Sequence, residues 1–296
     1  MGLITIVVSK KEKLGYYLFL LPAFLVFAVF IFWPTIYSFV LSLYDYSIST
    51  VNEAEFVGLR NFINLFKNPN FRTVLKNTFV YTVFAVPFTM AAGLGLALLI
   101  NNKLVKHKTF FKACYYIPYV CSMVAVSIVF SMLFSASTNG IVNQLLLKLG
   151  LEPKGWLSDG KLAMFVVILL SVWKDVGYAM MIYTGGLLGI SEDIYEAASL
   201  DPVSPWQKLT KITLPLLKPT TLFLSITQVI SSFQVFTPVN ILTDGGPGYA
   251  TSTIVTFLYQ KGFKEYQMGM ASAIAVVIFI ILLILTIIQN RVGERE

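Results

Sequence analysis

Charge is scarce in this chain. Asp, Glu, Lys and Arg make up 12% of its 296 residues, about half the share found in an average soluble domain. Hydrophobic residues make up 56%, and the mean hydropathy is +0.75. That much apolar surface excludes an ordinary water-soluble domain and points to an integral membrane protein. Histidine is nearly missing: His107 is the only one, in a Lys-rich loop where it reads as a solvated side chain. The only cysteines, Cys114 and Cys121, share one apolar segment without CxxC spacing. They suggest neither a disulfide framework nor a metal site. No GxxxxGK[ST] stretch occurs, so the cradle of backbone amides and lysine that ATP hydrolysis needs is missing. The Gly-rich "TDGGPGYATST" lacks the lysine and reads as a turn. No grouping of nucleophile, base and orienting acid is visible either. The chain is expected to catalyse nothing by itself, and no cofactor or metal is assigned to it.

What is present is length of apolar sequence. A membrane-crossing helix needs about 20 mostly apolar residues. Six segments qualify: 15–43, 74–101, 110–134, 162–190, 217–243 and 268–290. The expected fold class is an all-α membrane protein with six transmembrane helices in a single domain, 15–290. A short segment, 1–14, precedes that domain and a tail, 291–296, comes after it. Pro22, Pro34, Pro87, Pro118 and Pro238 lie in or near spans, where prolines are tolerated as kinks. No internal repeat and no low-complexity linker appears. The start, "MGLITIVVSKKEKLG", places its apolar run before its lysines, the reverse of a signal peptide.

The net charge of +7 is scattered through the loops. It reads as topological bias and attraction to anionic lipid rather than as a nucleic-acid surface. The short loop "NNKLVKHKTFFK" holds four lysines and no acid, which places it on the cytoplasmic side. Both termini and the loop 191–216 then share that side.

That last loop is polar between two apolar spans. Ser191 before Glu192 and Asp193 suits the start of a short helix, with acids at its positive end. "DPVSP" would break the helix near Leu200. Ser204 with Gln207 matches a capping box, and Pro205 fits a first helical position. A second short helix would carry Trp206, Leu209 and Ile212 along one side. An ordinary loop is the plain alternative. A helical hairpin that exposes Tyr195, Leu200, Trp206 and Leu209 instead suggests an element that docks in a groove of a partner.

The same stretch, "EAASLDPVSPWQKLTKITLPLLKP", resembles the EAA loop of binding-protein-dependent ABC importer permeases. Glu196, Ala197, Ala198, Asp201, Ile212, Leu214, Pro215 and Pro219 fit the family pattern. Pro202 replaces the usual glycine and Leu209 the usual phenylalanine. "FVGLRNF", "SVWKDVGYAMMIYTGGLLGISEDIYEAA" and "LTDGGPGYATSTI" are similar to the carbohydrate branch of the family, in matching order along the chain. The resemblance implies a type I ABC importer permease fold. It also implies a second homologous permease, a dimeric cytoplasmic ATPase that binds ATP and Mg, and an extracytoplasmic solute-binding protein that delivers a carbohydrate. Glu196, Ala197, Ala198, Asp201, Pro202, Trp206, Leu209 and Pro215 would then form the coupling element against the ATPase.

Charged groups inside a span usually face a cavity or a partner. Lys174 and Asp175 lie mid-span, with Tyr178 one turn on. Gln228, Ser231 and Ser232 share a helix face by their spacing. Amide, hydroxyl and aromatic groups suit a sugar; alternatively the Ser and Gln side chains only tie helices together. Resemblance implies the first reading, because family members with an in-membrane sugar site contact it at positions matching Lys174, Asp175, Tyr178, Gln228, Ser231 and Ser232. Lys174 and Asp175 point about 100° apart, so Lys174 or Asp175 is expected to face the passage while the other meets a neighbouring helix or partner; the long stem of Lys174 reaches further, and a neutral oligosaccharide is the default cargo. Two other classes compete with this reading. An ion- or proton-coupled secondary transporter would favour inverted repeats and several buried acids, and an embedded membrane enzyme would need a cluster of catalytic residues.

Overall fold

A computed structural model describes residues 10–47, 54–102, 104–138, 140–200 and 204–294 of the protein. The described residues are mostly helical. α1 (Lys10–Phe27) and α2 (Trp33–Leu41) run through one π-helical turn, Ala28–Phe32, and form the first long apolar stretch. Two short strands, β1 (Tyr44–Asp45) and β2 (Glu55–Phe56), pair antiparallel beyond it, with Tyr44 opposite Phe56. α3 (Arg60–Lys67) leads into the long α4 (Pro69–Asn101), which opens on an Asn68 cap with Pro69 at its first position. Next come α5 (Lys108–Val120) and α6 (Met123–Leu133), then α7 (Ile141–Lys148) and α8 (Gly160–Leu188). α9 (Glu192–Leu200), α10 (Pro205–Lys208), a π-helical turn at Leu209–Thr213 and α11 (Leu214–Leu216) make a helical hairpin. α12 (Lys218–Phe233), α13 (Thr237–Leu242), α14 (Ile254–Tyr259) and α15 (Met268–Glu294) complete the chain.

Five stretches are long and apolar enough to cross a membrane, and the α5–α6 pair makes six. The sequence predicts one helix over 110–134. Instead the chain bends by 90° between α5 and α6. Pro118 has no N–H to donate and its ring crowds the carbonyl of the preceding turn, so the helix ends within a few residues of it. The span expected at 217–243 is likewise interrupted between α12 and α13. There Thr253 Oγ1 donates to the freed Val235 carbonyl at 2.9 Å. Two of the π-helical turns, 28–32 and 209–213, come just before Pro34 and Pro215, where a regular i→i−4 ladder cannot continue.

Between helices in lipid the hydrophobic effect gives little attraction, so close packing carries the fold. Small residues make it possible. A Cβ on Gly93 of α4 would lie 2.5 Å from that of Ala179 on α8. A Cβ on Gly177 would collide with the Tyr115 carbonyl oxygen of α5. α8 is thereby held against both neighbours. Tyr81, Val126, Val167, Leu170 and Val239 join α4, α6, α8 and α13 in one buried cluster. Leu65, Phe71, Phe257 and Ile274 join α3, α4, α14 and α15 in a second. At the hairpin end, Ala97, Met180, Leu217 and Leu224 join α4, α8 and α12 in a third.

The stretch 18–41 stands apart, since none of its residues is buried. It meets the rest of the bundle chiefly through α15, with Phe39 edge-on to Phe279 at 5.6 Å. At the end opposite the hairpin, the Gly-rich turn is tight and braced. Asp244, Gly245, Gly248 and Tyr249 take positive φ, and Asn77 Nδ2 donates to the carbonyls of Tyr249 (2.7 Å) and Ser252 (3.1 Å).

Candidate functional site

Two features stand out: the projecting hairpin and a polar pocket in the middle of the bundle. The capping box in the hairpin forms as its sequence indicates. Gln207 N–H donates to Ser204 Oγ at 3.2 Å, and Ser204 N–H to Gln207 Oε1 at 2.9 Å. Pro205 sits in the first turn of α10. Ser191 departs from its expected capping role, its hydroxyl donating to the Asp193 carboxylate at 3.2 Å.

Tyr195 is not the free anchor that the sequence suggests. Its hydroxyl lies 3.2 Å from Thr213 Oγ1, and Lys208 Nζ sits 4.9 Å from its ring centre. These contacts clamp the two arms of the hairpin together. The π-helical turn also breaks the single stripe expected for Trp206, Leu209 and Ile212. Trp206 is 70% exposed, whereas Leu209 and Ile212 are half-buried. An i→i+5 turn holds an extra residue and rotates the helix beyond it. Glu196 and Pro215 are exposed on the projection, with Ala198 partly covered; Ala197 lies within α9. Asp201, Pro202 and the Leu200 side chain lie outside the described residues. At the root, a Cβ on Gly186 of α8 would lie 2.6 Å from Thr220 Oγ1 and 2.8 Å from Leu217 Cδ2. α12, which continues the hairpin, is thus packed closely on α8 at the root.

The pocket, about 250 Å³, opens between α4, α8, α12 and the α13 break. Thr89, Ser171, Asp175, Gln228, Ser231 and Ser232 contribute polar groups to its wall. Four of the six pathway residues named from the sequence therefore converge. The other two, Lys174 and Tyr178, do not line it. Lys174 is 7% exposed, and its ammonium donates to the carbonyls of Tyr119 (2.6 Å) and Pro118 (3.3 Å). It also lies 5.3 Å from the Tyr119 ring centre. Tyr178 stacks on that same ring, 4.9 Å away and tilted by 20°. Of the two charges that could face the passage, Lys174 is taken up elsewhere: the bend after α5 strands carbonyls that an intact helix would satisfy, and Lys174 is the buried donor that meets them. Asp175, about 100° further round α8, is the charged residue at the pocket.

Ser232 serves partly as helix glue, its hydroxyl lying 3.0 Å from Thr82 Oγ1 of α4 and 2.9 Å from the Val229 carbonyl. Sequence reasoning misses Tyr119. Its only signal there is its place beside Pro118, which by itself reads as a tolerated kink.

A family model described as "binding-protein-dependent transport system inner membrane component" matches residues 89–295. The chain is 38% identical to the probable ABC transporter permease protein YurN of Bacillus subtilis, over 97% of this chain and 99% of that protein. It is 34% identical to the arabinooligosaccharides transport system permease protein AraP of the same organism, over 96% of this chain and 90% of that one. Among solved structures it resembles a bacterial ABC transporter involved in the import of the acidic polysaccharide alginate, which has also been solved in complex with an alginate pentasaccharide-bound periplasmic protein. That similarity has a TM-score of 0.82 at 26% identity and covers 96% of each chain.

Proposed function

The chain belongs to the family of binding-protein-dependent transport system inner membrane components, and from that premise we propose that it is one permease subunit of an ATP-driven importer of sugars or oligosaccharides. The relatives are permease subunits, not enzymes. ATP and its Mg²⁺ would bind a separate dimeric ATPase, and a second, homologous permease would complete the channel. A solute-binding protein would deliver the carbohydrate from outside, as the periplasmic protein described with the alginate transporter suggests. In this reading both termini and the 191–216 hairpin face the cytoplasm.

The observation that carries the reading is the hairpin. A clamped helical projection presents Trp206 and Glu196 outward, and α12, which continues from it, packs on Gly186 of α8. Closure of the ATPase would move the projection as a rigid lever. α8 and α12 carry most of the polar pocket wall, so their displacement would open it to one side and then the other. The first apolar stretch, left uncovered in this chain, would lie against the second permease or lipid. The test is uptake of radiolabelled oligosaccharides by the assembled complex in proteoliposomes. Uptake should require ATP inside the cytoplasmic compartment and the loaded binding protein, and should survive collapse of ion gradients. Uptake driven by an ion gradient without ATP would reject the proposal.

A further inference from the structure

A second cavity, about 530 Å³, runs along the seam between α4 and α8 and shares no residue with the polar pocket. α4 contributes Val80, Phe84 and Phe88 at four-residue steps, and α8 contributes Phe165, Leu169 and Val172. The Phe84 and Phe88 rings stack with their planes 14° apart, and both are exposed, so the slot opens sideways onto the apolar surface of the bundle. At one end lies the Gly-rich turn, where a Cβ on Gly160 would stand 2.5 Å from that of Ala250. Beyond the other end the two helices meet at Gly93 and Ala179. The one charged residue on the wall, Lys161, stands at the Gly-rich end. Among the described residues its ammonium makes no hydrogen bond or ion pair. The nearby Asp159 carboxylate is turned to cap α8, accepting from the Lys161 and Leu162 N–H groups at 2.9 and 3.0 Å.

From this arrangement we propose that the slot is a binding site for an anionic phospholipid, with one acyl chain lying along α4 and α8 and the headgroup phosphate paired with Lys161. The stretch from Asn77 to Phe88 covers about 17 Å at 1.5 Å per residue. That is close to the depth of one leaflet, about half of a hydrocarbon core roughly 30 Å thick. The cation sits where such a chain would reach its headgroup, on the side of the membrane away from the hairpin. A cavity of this volume spread over this length is narrower than the about 10–12 Å that a helix with its side chains occupies. A helix would also leave the Lys161 ammonium against apolar surface unless it placed an acid at that one level. A phospholipid brings chain and anion together at the required spacing. Bulk lipid tails are as apolar as the slot, so retention depends on packing against the phenylalanine rings and on the charge pair. The pair selects an anionic headgroup, because a zwitterionic one carries its own ammonium beside the phosphate.

The experiment uses the full chain, purified with the subunits that co-elute with it and placed in phosphatidylcholine nanodiscs. These hold a small share of phosphatidylglycerol or of phosphatidylcholine whose acyl chain carries a diazirine. After illumination, labelled residues are located by peptide mass spectrometry and normalised to Ile284, exposed on α15. The phosphatidylglycerol probe should label 80–88 and 165–172 about fivefold more than the phosphatidylcholine probe, the effect of one lysine near an anionic lipid. Lys161→Gln should remove that preference and leave the phosphatidylcholine labelling as it was. Val80→Trp fills the slot and should abolish labelling of Phe165 and Leu169 by both lipids; Val172→Phe serves if that variant assembles poorly. Equal labelling by the two lipids in the wild type, or a preference that survives Lys161→Gln, would overturn the proposal. So would a slot that neither lipid labels, the result expected if a helix of the second permease covers it. None of these outcomes bears on the sugar-importer reading, which stands or falls on the separate uptake assay.

Discussion

Lys174 Nζ lies 2.6 Å from the carbonyl oxygen of Tyr119, across the seam between α8 and the end of α5. This contact is the C-terminal cap of a broken membrane helix, supplied from another helix instead of from water. Leaving a buried carbonyl unpaired costs about 1–3 kcal/mol, and here two carbonyls depend on one ammonium. Lys174→Met should therefore lower the melting temperature of the assembled complex and raise maleimide labelling of the adjacent Cys121. Lys174→Gln, which keeps a donor, should recover a good part of both. Equal melting curves for wild type and Met variant would show the clasp to be dispensable.

Close approach of α8 to its neighbours yields a second prediction. At Gly177 a Cβ would run into a backbone oxygen, whereas at Gly95 nothing stands within 4 Å. Gly177→Ala should destabilise the bundle by about 1–3 kcal/mol through overpacking. Gly95→Ala should leave assembly intact. Thermal denaturation of the two variants in the same detergent compares them directly.

The hairpin separates internal bracing from outward contact. Tyr195→Phe removes one hydroxyl contact with Thr213 and should cost about 1 kcal/mol, leaving transport reduced but coupled. Trp206→Ala and Glu196→Ala act on exposed groups, so membrane insertion should survive. Truncating a central aromatic anchor commonly costs about 2 kcal/mol or more in binding, and losing a charge at a partly buried interface about 2–5 kcal/mol. ATP hydrolysis should then run uncoupled from uptake, or uptake should cease. Normal coupled activity in both variants would remove the hairpin from the interface.

Sidedness can be read chemically. In a chain with Cys114 and Cys121 replaced, single cysteines at Ser158 and Lys211, both exposed, should react with an impermeant maleimide from opposite faces of the membrane. Lys211 is preferred to Lys208, which is engaged with Tyr195. Labelling of both sites in intact cells would contradict the orientation assigned here.

Membrane crossing is legible in the sequence because it depends on sums: too few charges, and apolar runs of sufficient length, whatever their neighbours. The Ser204–Gln207 box is legible because both of its hydrogen bonds close within four residues. The turn at 243–253 can be read from its glycines. The break of the third span cannot, because a proline in a membrane helix is compatible with a kink or a full stop. The choice depends on whether some other helix can supply donors to the stranded carbonyls. Lys174 supplies them from 55 and 56 residues further along the chain. That non-local need fixes the rotation of α8 about its axis, sends Lys174 and Tyr178 to Tyr119, and leaves Asp175 facing the pocket. Spacing along the helix establishes that the two charges point apart, but only the tertiary structure, by placing unsatisfied oxygens on one side of α8, decided which of them lines the pocket.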